Sequence, residues 1–230
     1  MVVIRSASTA DAAQIAAVMR DSWFAAYDGI IAPAIIDRAT APDGGARIRQ
    51  SFRTRPWQRM LAAVARQPGQ AQPGQAQPGQ AQPGQAQPGQ AQPGQAQRGQ
   101  AQRGQAGGAA GAAPSDIVGY ASFGPERDVL DMPWPYPLTS AGSGGEVAEL
   151  YALYVHPAWW STGTGRALMD QVLAKVCAAG YACITLWVLE ANARARRFYQ
   201  RAGFVPDGAR HVLDDLGGVT EIRYRRALST

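Results

Sequence analysis

The sequence predicts an α/β domain built on a mixed sheet, and three observations favour that fold class. Apolar runs of strand length alternate with helical patterns over residues 146–202, an order typical of α/β chains. Two further pairs of short apolar runs lie before and after that region, as expected for hairpins. Apolar residues make up 46% of the chain and include six Trp, eight Tyr and five Phe, which excludes a wholly disordered protein.

The N-terminal segment predicts a strand followed by a helix. Val2 to Arg5 is a short β-branched run typical of a strand. Ser8 and Asp11 then have the spacing of a capping box, in which each side chain bonds the backbone N–H of the other residue. Apolar residues follow at helical intervals as far as Tyr27, so we expect an amphipathic helix there.

The segment up to the second pair of strands is less regular. Pro33 suits the first turn of a short helix, because its ring fixes a helical φ and its missing N–H would be unpaired there anyway. Residues 39–55 contain a turn and admit a helix at 47–52. We expect two strands at 61–66 and 116–123.

A low-complexity tract separates those two strands. Residues 67–106 are eight pentapeptides, six reading Gln-Pro-Gly-Gln-Ala and two carrying Arg98 or Arg103 in place of Pro. Proline removes a backbone donor and the following glycine favours a turn, so neither helix nor sheet can propagate. We therefore expect residues 67–114, the repeats and the Gly/Ala-rich end, to be a disordered insert within a single domain covering residues 1–230. A partner-binding tract is the alternative.

The second half of the chain predicts four strands and two helices. The boundaries follow from apolar runs, helical spacing and the turn residues between them. In chain order we expect a strand at 146–155, a helix at 163–179, a strand at 183–189, a helix at 192–202 and strands at 211–213 and 219–224.

Charge, cysteine content and hydropathy exclude several functional classes. The formal net charge is +5, and two of the arginines lie in the repeats, which is too little for a nucleic-acid binder to be the default. Cys177 and Cys183 make neither a disulfide framework nor a metal site. No apolar run reaches the length of about 18 residues that a membrane span needs, and the N-terminus lacks the pattern of a secretory signal. We expect a soluble, cytoplasmic protein with no nucleic-acid, membrane or metal partner.

The most informative segment is a strand that runs through a tight turn into a helix at residues 149–166. Amides at such a turn point into one concavity, and the helix N-terminus adds partial positive charge. Gly163 and Gly165 lack the Cβ atoms that would block an approaching phosphate. The chemistry predicts an anion cradle, and an ordinary structural turn is the alternative. The third glycine of a dinucleotide fingerprint and the Gly-Lys pair of a nucleoside-triphosphate loop are both missing.

With this turn the sequence resembles the GNAT superfamily of acetyl-CoA-dependent N-acetyltransferases. The family signature Arg/Gln-x-x-Gly-x-Gly/Ala here reads Trp160-Ser-Thr-Gly-Thr-Gly165, with Trp160 in place of Arg or Gln and Ser161 where glycine is common. Leu-Tyr-Val-His-Pro at 153–157 also matches the family. Residues 192–204 match a further family motif, Asn-x-x-Ala-x-x-Phe-Tyr-x-x-x-Gly-Phe.

The resemblance implies a mixed, mostly antiparallel central sheet flanked by helices, with the repeats in the hairpin of the second and third strands. It implies acetyl-CoA as co-substrate and no metal. Backbone groups on the strand before the turn would pair with the pantetheine arm like an added strand, and amides of the turn would hold the pyrophosphate. The implied cofactor-binding residues are Leu153, Tyr154, Val155, Ser161, Thr162, Gly163, Thr164, Gly165, Arg166, Asn192 and Tyr199.

The resemblance also implies two catalytic residues. Tyr199 corresponds to the general acid that protonates the departing thiolate; the alternative is a tyrosine packed beside Phe198. Asn192 lies on the same helical face, seven residues earlier, and would cap the helix, contact the cofactor, or do both. Glu149 falls where some members place a general base, acting through a water; the alternative is a solvated residue at the start of a strand.

Two histidines are weaker candidates. His156 is a rival base, but its place at the strand end beside Pro157 favours a loop-capping role. His211 is interpreted as structural or as lying near the substrate. In such folds, two regions would flank an acceptor and would suit a cationic amine: the end of the first helix, with Trp23, Tyr27 and Asp28, and the last hairpin, with Asp214 and Asp215. Ordinary surface charge is the favoured alternative.

The resemblance implies direct transfer of an acetyl group from acetyl-CoA to a primary amine, by a monomer or a homodimer. A small molecule, a peptide N-terminus and a protein lysine all stay open as acceptors. The alternative is a non-catalytic module that binds CoA or a partner, with the repeats serving assembly.

Overall fold

Seven strands form one sheet in the computed structural model, which describes residues 1–65, 117–126 and 147–228. All of these residues fall within one compact unit. The strands are β1 Val2–Ser6, β2 Arg59–Ala65, β3 Ile117–Pro125, β4 Val147–Val155, β5 Cys183–Leu189, β6 Val205–Leu213 and β7 Val219–Ala227. The α-helices are α1 Ala12–Ala26, α2 Pro33–Ala39, α3 Ala46–Thr54, α4 Thr164–Ala178 and α5 Ala193–Arg201.

The sheet has the order β1-β2-β3-β4-β5-β7-β6, and only β4 and β5 pair in parallel within the described ranges. This confirms the predicted mixed, mostly antiparallel sheet. β2 and β3 are neighbours in the sheet and pair antiparallel. In the sequence, the repeats therefore fall between two strands that are paired with each other. The expectation that residues 67–114 are disordered concerns residues outside the described ranges.

The parallel pair of β4 and β5 ends before either strand does. Its register runs only from Val147 opposite Cys183 to Leu150 opposite Leu186, while the strands continue to Val155 and Leu189. The two strands therefore diverge over their C-terminal residues and leave a gap in the middle of the sheet.

A bulge lies in β4 where this divergence begins. On β3, Ser122 pairs with Ala152 and the next residue, Phe123, pairs with Leu150, so Tyr151 is the extra residue. A bulge of this kind bends the strand and increases its twist, which turns the end of β4 away from β5.

The helices cover both faces of the sheet. On one face, Leu168, Met169 and Val172 of α4 are fully buried in the cluster that contains Leu150 and Ile184 of the sheet. On the other face, α1 packs its buried apolar stripe against β2 and β3. The apolar face of α4 is thus buried against the sheet. Burial of this kind stabilises by roughly 25 cal/mol per Å² of apolar surface.

The predicted capping box at the start of the chain is also present. The Asp11 carboxylate accepts the Ser8 backbone N–H at 2.8 Å, and Arg5 donates two hydrogen bonds to it, each at 2.7 Å. The Arg5 guanidinium is the main reason that the pKa of Asp11 falls to about 2. This network ties the end of β1 to the beginning of α1.

The largest difference from the predicted boundaries concerns β6. A strand was expected only at 211–213, but β6 begins at Val205. Most of β6 is solvent-exposed at the edge of the sheet, so its sequence carries no alternation of buried and exposed residues. In the part of the chain that the structure describes, no helix combines the length and apolarity required to cross a membrane.

Candidate active site

The gap between β4 and β5 opens into a cavity of about 790 Å³. Its wall is built from the diverging ends of the two strands, the end of α1, the turn before α4, one face of α5 and the hairpin of β6 and β7. A cavity of this size can hold a cofactor arm together with a small acceptor.

The end of β4 presents backbone groups to this gap. The backbone N–H of His156 donates to the Val118 carbonyl of β3 at 2.9 Å. Because backbone groups on an antiparallel strand point alternately to its two sides, Tyr154 also bonds toward β3. The backbone groups of Leu153 and Val155 point toward β5. All three predicted residues line the cavity, two through their backbone edge and Tyr154 through its side chain.

The last carbonyl of β4 is held by two side chains. The Val155 oxygen accepts the indole N–H of Trp160 at 2.7 Å and the Ser22 hydroxyl at 2.9 Å. The other side of the Trp160 ring carries the Arg194 guanidinium, 4.1 Å from its centroid. Trp160, which replaces the signature Arg or Gln, therefore fixes the turn to β4 and to α5.

The turn before α4 contains positive φ angles, the backbone conformation that glycine favours. Gly163 has φ +90°, and a Cβ there would meet no atom within 4 Å. Ser161 has φ +63°, in the left-handed region that favours glycine, which explains why glycine is common at this place in the signature. Gly165 has no positive φ, and a Cβ there would meet Phe198 at 3.5 Å, an ordinary contact.

The first amides of α4 have no side-chain cap, because Gly163 stands at the N-cap. Thr162 Oγ1 donates to the Trp159 carbonyl at 2.8 Å and shares a hydrogen bond with Thr164 Oγ1 at 2.9 Å. These two threonines therefore hold the turn together and do not line the cavity, whereas the predicted Ser161, Gly163, Gly165 and Arg166 do. An uncapped helix N-terminus beside a cavity is suited to bind an anion.

Three arginines of α5 add positive charge to the wall. Arg194, Arg197 and Arg201 line the cavity, and their spacing of three and four residues places them on one helical face. They were missed in the sequence analysis, although that spacing beside Asn192 was a visible signal. With Arg166 they make this part of the wall suitable for phosphate groups.

Tyr199 presents its side chain to the cavity from α5. Its ring packs between Phe198 and Phe204, with centroids 5.3 and 6.1 Å away, and only 8% of the residue is exposed. Burial raises the pKa of Tyr199 above its usual value, and the nearby Tyr154 raises it further. Among the described residues, none hydrogen-bonds its hydroxyl. The structure thus contains a neutral donor at the cavity wall.

Asn192 begins the same helix. Its Oδ1 accepts the Ala195 backbone N–H at 3.0 Å, so the predicted capping role is confirmed. Asn192 also lines the cavity. The prediction that it shares a face with Tyr199 agrees with the position of both residues on the wall.

Four aromatic residues at the end of α1, on β3 and on β4 form a group near Tyr199. Trp23 lies 5.1 Å from Tyr27 and 6.4 Å from Tyr154, measured between ring centroids; Tyr154 lies 5.7 Å from Tyr120. Burial raises the pKa of both Tyr27 and Tyr120 well above the usual value, with Tyr154 contributing. The hydroxyls of Tyr27 and Tyr120 are therefore neutral at physiological pH.

Glu149 is buried rather than solvated, with 1% of the residue exposed. The alternative of a surface residue at a strand start is therefore wrong. Its neighbours in the sheet are Thr185 on β5 and Gly124 on β3. It does not line the cavity, whereas the next residue, Leu150, does.

The two histidines lie outside the cavity wall. His156 Nδ1 accepts the Ala158 backbone N–H at 3.2 Å, which confirms the loop-capping role, and its Nε2 lies 3.5 Å from Asp21. His211 Nδ1 lies 3.3 Å from a carboxylate oxygen of Glu221, and its ring meets that of Trp187 edge-on at 6.4 Å.

The last hairpin contributes an acid that was missed in the sequence analysis. Asp214 and Asp215 are exposed and do not line the cavity. Glu221 on β7 does, beside Trp187 and Leu213. The sheet register decides this, because it places Glu221 opposite Leu189 at the diverging end of β5. Within the described ranges, no group of three or more His, Cys, Asp and Glu could hold a metal ion.

Comparisons with known proteins place these features in a family. A profile described as the Acetyltransferase (GNAT) family matches residues 82–204. An uncharacterized N-acetyltransferase of Mycobacterium tuberculosis is 36% identical over 96 residues, which are 41% of this chain and 49% of that protein. A mycothiol acetyltransferase of Beutenbergia cavernae is 43% identical over 58 residues, 25% of this chain and 20% of that protein. The chain spans about half the length, or less, of these curated relatives.

Two solved structures share the fold over nearly the whole chain. A PaiA N-acetyltransferase of Thermoplasma acidophilum in complex with coenzyme A gives a TM-score of 0.55 at 16% identity, covering 99% of both chains. An N-acetyltransferase of Staphylococcus aureus gives 0.55 at 14% identity, covering 100% of this chain and 99% of that one. At these identities the likeness shows the fold.

Proposed function

The chain belongs to the acetyltransferase (GNAT) family, whose profile matches more than half of its length, and from that premise we propose that it transfers an acetyl group from acetyl-CoA to a primary amine. The observation that carries the proposal is the neutral, buried Tyr199 on the wall of a cavity that also contains the uncapped start of α4. The relatives' names support N-acetyl transfer. Small molecules, peptide N-termini and protein lysines are all acceptors of the right class.

The described residues fit the cofactor. The amides at the start of α4, with Arg166 and the arginines of α5, would hold its phosphates. The backbone groups of Leu153 and the backbone N–H of Val155 would pair with the amides of its pantetheine arm, whereas the Val155 carbonyl is held by Trp160 and Ser22. Acetyl-CoA supplies an activated acetyl thioester when bound.

Tyr199 would act as the general acid. A thiolate leaving group needs a proton as the bond to the acetyl carbon breaks, and a phenol whose pKa is raised is protonated throughout the physiological range. Tyr199 lines the cavity, and its hydroxyl would donate to a sulfur atom held between the diverging strands.

Glu149 would act as the general base through a water. Its carboxylate is buried and Glu149 does not line the cavity, whereas the next residue, Leu150, does; the amine would therefore lose its proton to it through a water. A bridging water would transfer the proton from the amine to the Glu149 carboxylate.

The test is turnover with the full chain. The protein is incubated with acetyl-CoA and a panel containing an aliphatic monoamine, a peptide with a free N-terminus and a lysine-containing peptide with a blocked N-terminus. We expect amine-dependent release of free thiol, and mass spectrometry should show one added acetyl group on an amine of the panel. Binding of CoA without acetylation of any amine would instead support a non-catalytic CoA-binding module.

A further inference from the structure

The charged residues of the cavity wall are segregated. Within the described ranges, the wall contains four arginines, at the start of α4 and along α5, and one carboxylate, that of Glu221 on β7. The arginines lie where the cofactor's phosphates would be. A carboxylate would repel a phosphate group. Glu221 therefore belongs to a second part of the cavity wall, whose charge is opposite to that of the arginines.

Glu221 lies at the acceptor end of the cavity. Its register partner, Leu189, is the last residue of β5, where β4 and β5 have diverged. Leu189 belongs to the apolar cluster that contains Trp23, Tyr27 and Leu213. Glu221 therefore lies beside an apolar and aromatic surface, on the side of the cavity formed by α1 and the last hairpin.

The carboxylate is held in place and is largely buried. His211 contacts it from β6 at 3.3 Å, and only 20% of the Glu221 side chain is exposed. An opposite charge on a ligand is worth more at such a position than at the open surface, because water screens it less. Trp187, whose ring lies beside His211 and 5.7 Å from the Arg223 guanidinium carbon, also lines this part of the wall and adds apolar surface there.

We propose that the acceptor binds as a cation, with its ammonium group against the Glu221 carboxylate and its carbon skeleton against Trp23, Trp187 and the neighbouring leucines. The ammonium would then lose one proton through water to Glu149, so that the neutral nitrogen can attack the acetyl carbon. Glu221 is then the residue that selects charged amines. This inference rests on the proposed function, because it assigns the acceptor to the same cavity.

The test compares two isosteric ligands that differ in charge. Phenethylamine carries an ammonium group, and 2-phenylethanol carries an uncharged hydroxyl in the same place. Binding of each to the full chain is measured by calorimetry in the presence of CoA, so that no turnover occurs. We expect phenethylamine to bind at least about tenfold tighter than 2-phenylethanol, the ratio that one charge-assisted contact gives.

Variants of one hairpin then identify the residue responsible. Glu221→Gln should weaken phenethylamine binding about tenfold and leave 2-phenylethanol unchanged, and Glu221→Asp should restore part of the loss. Asp215→Asn removes the same charge from the same hairpin outside the cavity and should change neither affinity. Unfolding midpoints with CoA verify that each variant is folded.

The outcomes separate the two claims. Three outcomes would each overturn the inference. The first is equal affinity for the two ligands, and the second is an equal loss of phenethylamine affinity in Glu221→Gln and Asp215→Asn. The third is no binding of phenethylamine by a chain that binds CoA. Absence of CoA binding would overturn the proposed function. The comparison of the two ligands on the unmodified chain decides the inference even if Glu221→Gln does not fold.

Discussion

The indole N–H of Trp160 donates to the backbone carbonyl of Val155 at 2.7 Å, joining the turn before α4 to the end of β4. This residue departs from the signature of the family, in which an Arg or Gln is usual. The contact shows that the departure has a structural role, since the same oxygen also receives the Ser22 hydroxyl at 2.9 Å. The geometry of the gap between β4 and β5 depends on this junction.

Trp160→Phe should therefore lower the free energy of unfolding by about 1 kcal/mol, because it removes one partly buried hydrogen bond and keeps the ring under Arg194. Denaturant unfolding measures the loss. Trp159→Phe is the matched control, since its indole N–H bonds to no described residue. Equal stability of the two variants would show that the Trp160 contact contributes nothing.

Ser161→Gly should stabilise the protein. A non-glycine residue at φ +63° costs roughly 1–2 kcal/mol, and the flexibility of glycine in the unfolded chain offsets about 0.5–1 kcal/mol of the gain. Gly163→Ala should destabilise the protein, because the φ of Gly163 is +90°. Gly165→Ala, with room for a Cβ and no positive φ, should be neutral. Thermal unfolding of the three variants checks this order, and a destabilised Ser161→Gly would refute it.

Tyr199→Phe should lower kcat by about 10²–10⁴, the usual contribution of a general acid, while CoA still raises the unfolding temperature. Because the pKa of Tyr199 is raised, the acid stays protonated up to and beyond pH 10, so the activity should show no alkaline loss below that pH from this group. Tyr181→Phe, outside the cavity, is the control. An unchanged kcat in Tyr199→Phe would exclude it as the acid.

Asp11→Asn should destabilise the protein by about 1–3 kcal/mol at neutral pH, because it removes charged hydrogen bonds to Arg5. The pKa of Asp11 is lowered to about 2, so its contribution is complete above pH 4 and is lost as the pH falls toward 2. The difference between the two proteins should therefore shrink over that window in acid unfolding experiments. Asp170→Asn, which breaks an exposed pair with Arg166, should cost less than about 1 kcal/mol.

Local sequence patterns predicted most of the elements that support the site. The capping box of Ser8 and Asp11 and the cap at Asn192 depend only on neighbours a few residues away, so the sequence contains all the information needed. The mixed, mostly antiparallel sheet followed from the family resemblance. The edge strand β6 was predicted too short, because an exposed strand has no buried side chains to give it a pattern.

Residues brought to the cavity by long-range pairing were harder to predict. Glu221 reaches the wall because β7 pairs with β5, and nothing near it in the sequence indicates that register. Glu149 was expected in the site from the resemblance, and in the structure it is buried and does not line the cavity. Trp160 departs from the family signature, and the sequence does not show that its indole N–H bonds the Val155 carbonyl.

Thermal unfolding of the full chain with added ligands tests the central claim most directly. Acetyl-CoA and CoA at about 100 times the dissociation constant should each add about 2.7 kcal/mol of stability, an upward shift of several degrees. ATP and NAD at the same concentration should shift the midpoint less, since they lack the pantetheine arm that the edge of β4 would bind. A folded protein whose midpoint moves with neither acetyl-CoA nor CoA would contradict the account.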